Sequence, residues 1–210
     1  MTMATYDDRA SRAGTDKFGR RREQLATSAL VTLAERGYAN TGLRDIADNS
    51  EFSHGVLHYY FKDKNDLIQH CVRQYKLDCA KHYDDIVETA TTADELKSRF
   101  ADAMTGTLRD EASMHRLWYD LRNQSMFDAE LRPVIQEIDT LLEEMIWSVV
   151  SRYAGLLGTT VSVRPALAYS TYDGTFEQAL VAFMAGDLGA LDRIGDDCVR
   201  LLDLLVCPSP

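Results

Sequence analysis

The sequence predicts an all-α chain in two parts, an N-terminal three-helix domain followed by a larger helical bundle. Three observations predict it. Apolar residues recur every three to four positions along most of the 210 residues, and no strand-like alternation competes. Only 4 prolines are present, which leaves room for long uninterrupted helices. Charge is partitioned: residues 1–66 hold 10 Lys/Arg and 10 Asp/Glu, whereas residues 67–210 hold 13 and 23. The whole formal charge of −10 therefore lies in the second part, and any polyanion should meet the first.

The elements follow in order. Residues 1–17 are polar and aperiodic and read as a disordered basic arm. Arg9, Arg12, Lys17, Arg20, Arg21 and Arg22 make it basic into the next helix; it is either a solvated tail or a phosphate-seeking arm. A first helix runs from about Lys17 to Arg36 on Leu25, Ala29 and Leu33, and Gly37 sits where a C-cap glycine belongs. A short second helix carries Leu43, Ile46 and Ala47, with Asp45 near its positive end. Asn49-Ser50-Glu51-Phe52 reads as a turn, and Ser53 as the N-cap of a third helix from His54 to about Phe61. Asp63 can cap a fourth that runs towards Ile86. Beyond it, one helix carries Leu96, Phe100 and Leu108, and another Met114, Trp118 and Leu121. A longer one starts near Pro133. Gly155 to Val163 is a connection before two terminal helices marked by Tyr169, Tyr172, Phe176 and Leu180, and by Leu191, Ile194, Cys198, Leu201 and Leu205. The domains are thus the arm at 1–17, a three-helix domain at 18–64 and a helical regulatory and dimerisation domain at 65–210.

Two short helices joined by a four-residue turn form a helix-turn-helix, whose second helix can enter the DNA major groove. Leu57 and Phe61 can pack inward, leaving His54, Val56, Tyr59 and Tyr60 for other faces, beside Lys62 and Lys64. From Arg22 to Leu67 the chain resembles the TetR family of bacterial regulators. The matching residues are Gly37-Tyr38, Thr41, Ile46-Ala47, Ser53, Gly55, Leu57, Tyr59, Phe61, Lys64 and Leu67. The resemblance implies that Lys64 and Tyr60 hold phosphates, with Tyr59 against the sugar-phosphate backbone. It implies that Arg44 reaches a base edge and that His54 and Val56 face the groove. Ser53, Gly55, His58 and Lys62 complete the DNA-facing set. Two positions depart from the family pattern. Glu51 replaces the usual glycine of the turn, where a positive φ would cost about 1–2 kcal/mol. His58 replaces the usual tyrosine.

The family layout further implies a small-molecule pocket in the body, for which Met104, Trp118, Met126, Phe127, Tyr169, Tyr172 and Phe176 are lining candidates. The same aromatic stripes read equally as core. The acidic body weakly disfavours a large anion. Small residues on the penultimate helix, Thr171 and Gly174 with Gln178 and Val181, face Leu201 and Leu205 of the last helix in an expected four-helix homodimer interface. The expected partners are a palindromic double-stranded DNA operator, a second copy of the chain and a small-molecule effector, with no membrane. The reading is a repressor released from its operator by the effector. Its alternative is an architectural or co-regulatory DNA-binding protein controlled by a protein partner, which a filled body core would favour.

No catalytic motif is present, so no enzymatic activity or cofactor is expected. Glu51, His54 and His58 share a helical face but lack a fourth ligand, and no metal is expected. Cys71, Cys79, Cys198 and Cys207 show no zinc spacing and read as free thiols. The N-terminus has no apolar run, and a cytoplasmic protein is expected.

Overall fold

The computed structural model describes residues 6–207, with side chains from Lys17 onward. Among the described residues there are eight helices: α1 (Tyr6–Arg36), α2 (Leu43–Asp48), α3 (His54–Tyr60), α4 (Lys64–Thr89), α5 (Ala93–Gln124), α6 (Arg132–Leu157), α7 (Pro165–Met184) and α8 (Ala190–Leu205). The all-α expectation holds; the β pairing among the described residues is one isolated bridge, Val161 to Val206. The chain divides into two compact units, Met1–Val72 and Arg73–Pro210. That boundary falls inside α4 rather than at Lys64, because Leu67, Ile68, Cys71 and Val72 are buried in the first unit's core. Helix α1 extends back to Tyr6, through most of the segment expected to be a disordered arm. Met1–Thr5 lie outside the described residues.

In the first unit, Leu25, Ala26, Ala29 and Leu33 of α1 are almost fully buried with Ile46, Leu57 and Phe61. Each large aliphatic contributes roughly 1.5–3 kcal/mol by leaving water. The Cys71 thiol donates to the Ala26 carbonyl at 3.2 Å and ties α4 to α1. Gly37 ends α1 at φ 78°, a left-handed conformation that glycine adopts without a Cβ penalty. Its amide donates to the Leu33 carbonyl at 2.8 Å. The buried Thr41 hydroxyl then donates to the Gly37 carbonyl at 2.8 Å. Asp45 accepts from the Gly42 amide at 2.8 Å and pairs with Arg36 at 3.2 Å, which fixes the start of α2.

In the second unit, Thr92 caps α5 by accepting from the Glu95 amide, while Glu95 accepts from the Thr91 amide. The two helices expected around Leu108 and Met114 are one helix, bent at Glu111 (φ −124°, ψ 18°). Helix α6 persists to Leu157 and stops at Gly158, which has φ 69°. The connection to α7 is pinned to the end of α8: Ser162 donates to the Leu205 carbonyl at 2.8 Å and Cys207 to that of Thr160 at 2.9 Å.

Helix α7 buries Ala168, Tyr169, Tyr172, Phe176 and Leu180. Its other side leaves Leu167 and Val181 exposed, with Thr171 and Gly174 half-buried and Gln178 exposed. On α8, Leu205 does not join that outward face. It is only 6% exposed because it continues the inward stripe of Ile194, Cys198 and Leu202. Leu204 is the outward residue at 72% exposure, and Leu201 is half-buried. Among the described residues, no helix is long and apolar enough to cross a membrane.

Candidate nucleic-acid interface and ligand cavity

The turn before α3 is built by side chains. Ser50 Oγ accepts from the Phe52 amide at 3.2 Å, and Asn49 donates to the buried Thr32 hydroxyl at 3.0 Å. No non-glycine residue described has a positive φ, so Glu51 carries no left-handed strain. Ser53 caps α3 by accepting from the Val56 amide at 3.4 Å. Leu57 and Phe61 are buried, which turns the opposite side of α3 to solvent. His54, Gly55, His58 and Tyr59 are exposed, and Val56 and Tyr60 partly so. Arg44 of α2 is exposed and lines one hollow with Ser53 and His54, so a base-seeking arginine and the start of α3 share a face. The His54 and His58 rings meet edge-on at 4.4 Å. Among the described residues no three acidic, His or Cys groups converge on a metal position.

Several expected phosphate contacts are engaged within the unit. The Lys64 ammonium donates to the Tyr38 carbonyl at 2.5 Å and lies 4.0 Å from the centre of that ring. Both partners come from the loop after α1. Tyr60 packs on Phe18 with centroids 4.6 Å apart. Arg21 lies over Phe52 at 4.5 Å, and Arg22 over Phe61 at 4.8 Å with an ion pair to Asp66 at 2.6 Å. Lys62 is solvent-exposed, 3.9 Å from Asp63. Arg9 and Arg12 lie outside the residues whose side chains are described.

The second unit contains a narrow cavity of about 60 Å³. Five expected lining residues, Met104, Trp118, Tyr169, Tyr172 and Phe176, meet there. Met126 and Phe127 do not. They follow the C-cap of α5 at Ser125 and are 63% and 86% exposed.

The cavity also holds polar residues that sequence reasoning passed over: Lys76, His115, Tyr119 and Asp173. Lys76 is 1% exposed, and its Nζ lies 3.4 Å from His115 Nδ1. Burial lowers its pKa from the usual 10.5. Burial also holds His115 well below its usual 6.5, helped by the Lys76 charge, so the imidazole is neutral at pH 7. Asp173 accepts from Arg122 and, at 3.2 Å, from the Tyr119 hydroxyl. Asp139 accepts from the Tyr169 hydroxyl at 2.8 Å and pairs with Arg122 at 3.4 Å. Burial raises the Asp139 pKa, and those two partners oppose it.

Residues 25–71 match the family described as bacterial regulatory proteins, tetR family. The HTH-type transcriptional repressor KstR2 of Mycolicibacterium smegmatis is 33% identical over 72 residues, a stretch spanning 34% of this chain and 35% of that protein. The HTH-type transcriptional regulator BetI of Burkholderia thailandensis is 24% identical over 196 residues, spanning 90% and 94%. A TetR transcription regulator from Haloarcula marismortui shares the fold with a TM-score of 0.73, at 17% identity over 90% of this chain and 100% of that one. So does FadR of Bacillus subtilis in complex with stearoyl-CoA, at 0.69 and 20% over 85% and 96%. A regulator from Saccharomonospora viridis in complex with choline does too, at 0.71 and 19% over 90% and 99%. Residues 25–71 thus carry the segment typical of the tetR family of bacterial regulatory proteins, and the chain as a whole has the fold of TetR regulators.

Proposed function

We propose that the chain is a repressor that binds a palindromic operator as a homodimer and leaves it when a small ligand fills the cavity of the second unit. The observation that carries this reading is the cavity itself, lined by Trp118, Tyr172, Phe176 and a buried lysine in a protein whose other unit is a helix-turn-helix. A body core without a cavity would instead favour control by a protein partner. Related folds with stearoyl-CoA and with choline support a ligand-responsive reading.

On the DNA side, His54, Val56 and Tyr59 would meet base edges and sugar-phosphate in the major groove. Arg44 would make a bidentate pair to guanine, worth about 1–3 kcal/mol of discrimination. Lys62 would supply a sequence-blind phosphate contact. Tyr60 and Lys64 would act through packing, by holding α3 against Phe18 and the Tyr38 loop. The outward face of α7, Leu167, Thr171, Gly174, Gln178 and Val181, would meet its copy together with Leu201 and Leu204.

Selection of binding sites from random DNA with the purified protein tests the reading. The expected result is a two-fold symmetric site with half-sites about 34–36 Å apart, or a multiple of it. Enrichment of no sequence, or of asymmetric single sites, would contradict it.

A further inference from the structure

We propose that the cavity of the second unit takes an organic anion, a carboxylate carried on an aromatic or alicyclic body, with the carboxylate seated among Lys76 Nζ, His115 Nε2 and Trp118 Nε1. This rests on the ligand-responsive reading above and names the chemistry of that ligand.

The argument is one of unmatched donors. Lys76 is fully enclosed, yet no carboxylate stands within ion-pair distance of its ammonium among the described residues. The acids around it are committed elsewhere. Asp173 serves Arg122 and Tyr119, Asp139 serves Tyr169 and Arg122, and Glu111 accepts from the Tyr75 hydroxyl. Among the described residues, the polar atom within hydrogen-bond distance of Nζ is His115 Nδ1 at 3.4 Å. An imidazole nitrogen facing an ammonium must accept, so the ring proton sits on Nε2. His115 Nε2 and Trp118 Nε1 are both buried with no partner among the described residues. Three donor groups thus line one cavity, and beyond the Nδ1 that accepts one Lys76 proton no acceptor among the described residues is assigned to them. Buried polar groups of this kind are ordinarily matched, and a carboxylate, with about four lone-pair sites, can match all three.

The remaining walls, Tyr83, Tyr172 and Phe176 among them, are aromatic and suit a flat apolar body. A quaternary ammonium would meet the wrong charge. The aromatic faces nearest the site are already occupied by the lysine itself, 5.3 Å from Trp118 and 5.4 Å from Tyr75. The weak expectation against anions came from the acidic body as a whole. The charge that a bound ligand meets is set locally by Lys76.

The test is calorimetric titration of the full-length protein with three probes of nearly one shape: 1-naphthylacetate, 1-naphthylacetamide and (1-naphthylmethyl)trimethylammonium. We expect the carboxylate to bind at least about ten-fold more tightly than the amide, as charge-assisted hydrogen bonds require, with the ammonium weakest. In Lys76→Met the carboxylate and amide should bind alike. Trp118→Phe keeps the aromatic face but removes one donor, and should weaken the carboxylate selectively. Equal binding of carboxylate and amide to the wild type, tightest binding of the ammonium, or no binding of any probe overturns the proposal, whatever the variants do. The same probes are added to the protein on its selected operator. A carboxylate that binds through Lys76 yet leaves DNA bound would keep the ligand class and sink the release reading. Release by the ammonium probe would keep the release reading and sink the ligand class.

Discussion

Replacing Lys76 by methionine should make the protein more stable. The side chains have similar length and volume, so the cavity wall keeps its shape. What disappears is an enclosed ammonium whose nearest polar atom is 3.4 Å away. Exchanging a buried charge for an apolar residue of like volume is often neutral or stabilising by about 1–4 kcal/mol. Here part of the penalty is already offset. The rings of Trp118 and Tyr75, 5.3 and 5.4 Å away, each return about 0.5–1 kcal/mol. Asp173, Glu111 and Asp139 attract the charge at longer range. The net gain should be about 1–2 kcal/mol, which in a protein of this size is about 2–8 °C in Tm.

The gain should also depend on pH. Burial lowers the lysine's pKa in the folded protein below the 10.5 of the unfolded chain, so the folded state binds that proton less tightly. The penalty is fully present below the folded pKa and fades as pH rises from there to 10.5. Thermal unfolding of wild type and variant, followed by circular dichroism at pH 7 and at pH 10, measures both effects. A variant less stable than wild type, towards the roughly 3–5 kcal/mol lost when a paired buried charge is broken, would refute the reasoning. So would an advantage that grows with pH, because either result means that the ammonium is well paired in the fold.

Two further outcomes are expected. Arg44→Ala should relax preference at one base pair per half-site, whereas Lys62→Ala should weaken binding to every sequence and reduce the salt slope by about one unit. Fluorescence anisotropy on matched and mutated operators separates them, and one shared sequence-blind loss would cancel the assigned roles. Val181→Glu, at a position 65% exposed on the outward face of α7, should yield a monomer that binds DNA poorly. An unchanged dimer mass in sedimentation would move the interface elsewhere.

Much of the first unit was legible because its signals are local. Ser53 and Asp63 cap α3 and α4 as their residue types predict, and Gly37 ends α1 as a left-handed glycine. The body was less legible because periodicity does not record bends or depth. Nothing local distinguishes the Glu111 bend from a helix end, so α5 read as two helices. Leu201, Leu204 and Leu205 are all apolar, and only packing decides that Leu205 faces inward and Leu204 outward. Met126 and Phe127 read as pocket residues by size and apolarity, yet they follow a helix cap and face water. Lys76 did leave a signal. It occupies an inward position of α4, in step with Val72, Ala80 and Tyr83, where a charge has no place in an ordinary core. His115 occupies the corresponding anomaly on α5, in line with Leu108 and Trp118.

The continuity of α4 across the boundary after Val72 sets a rule for how such a chain can be cut, lengthened or recombined. A flexible linker tolerates additions of any length, but a helix counts them. Each residue added between Val72 and Arg73 advances the helix by 1.5 Å and turns it by about 100°. One insertion would put the α4 residues on its two sides about 100° out of phase, whereas a block of seven residues returns almost to phase and adds roughly 10 Å of length. A chimera joined within α4 therefore has to keep the helix in phase through its junction.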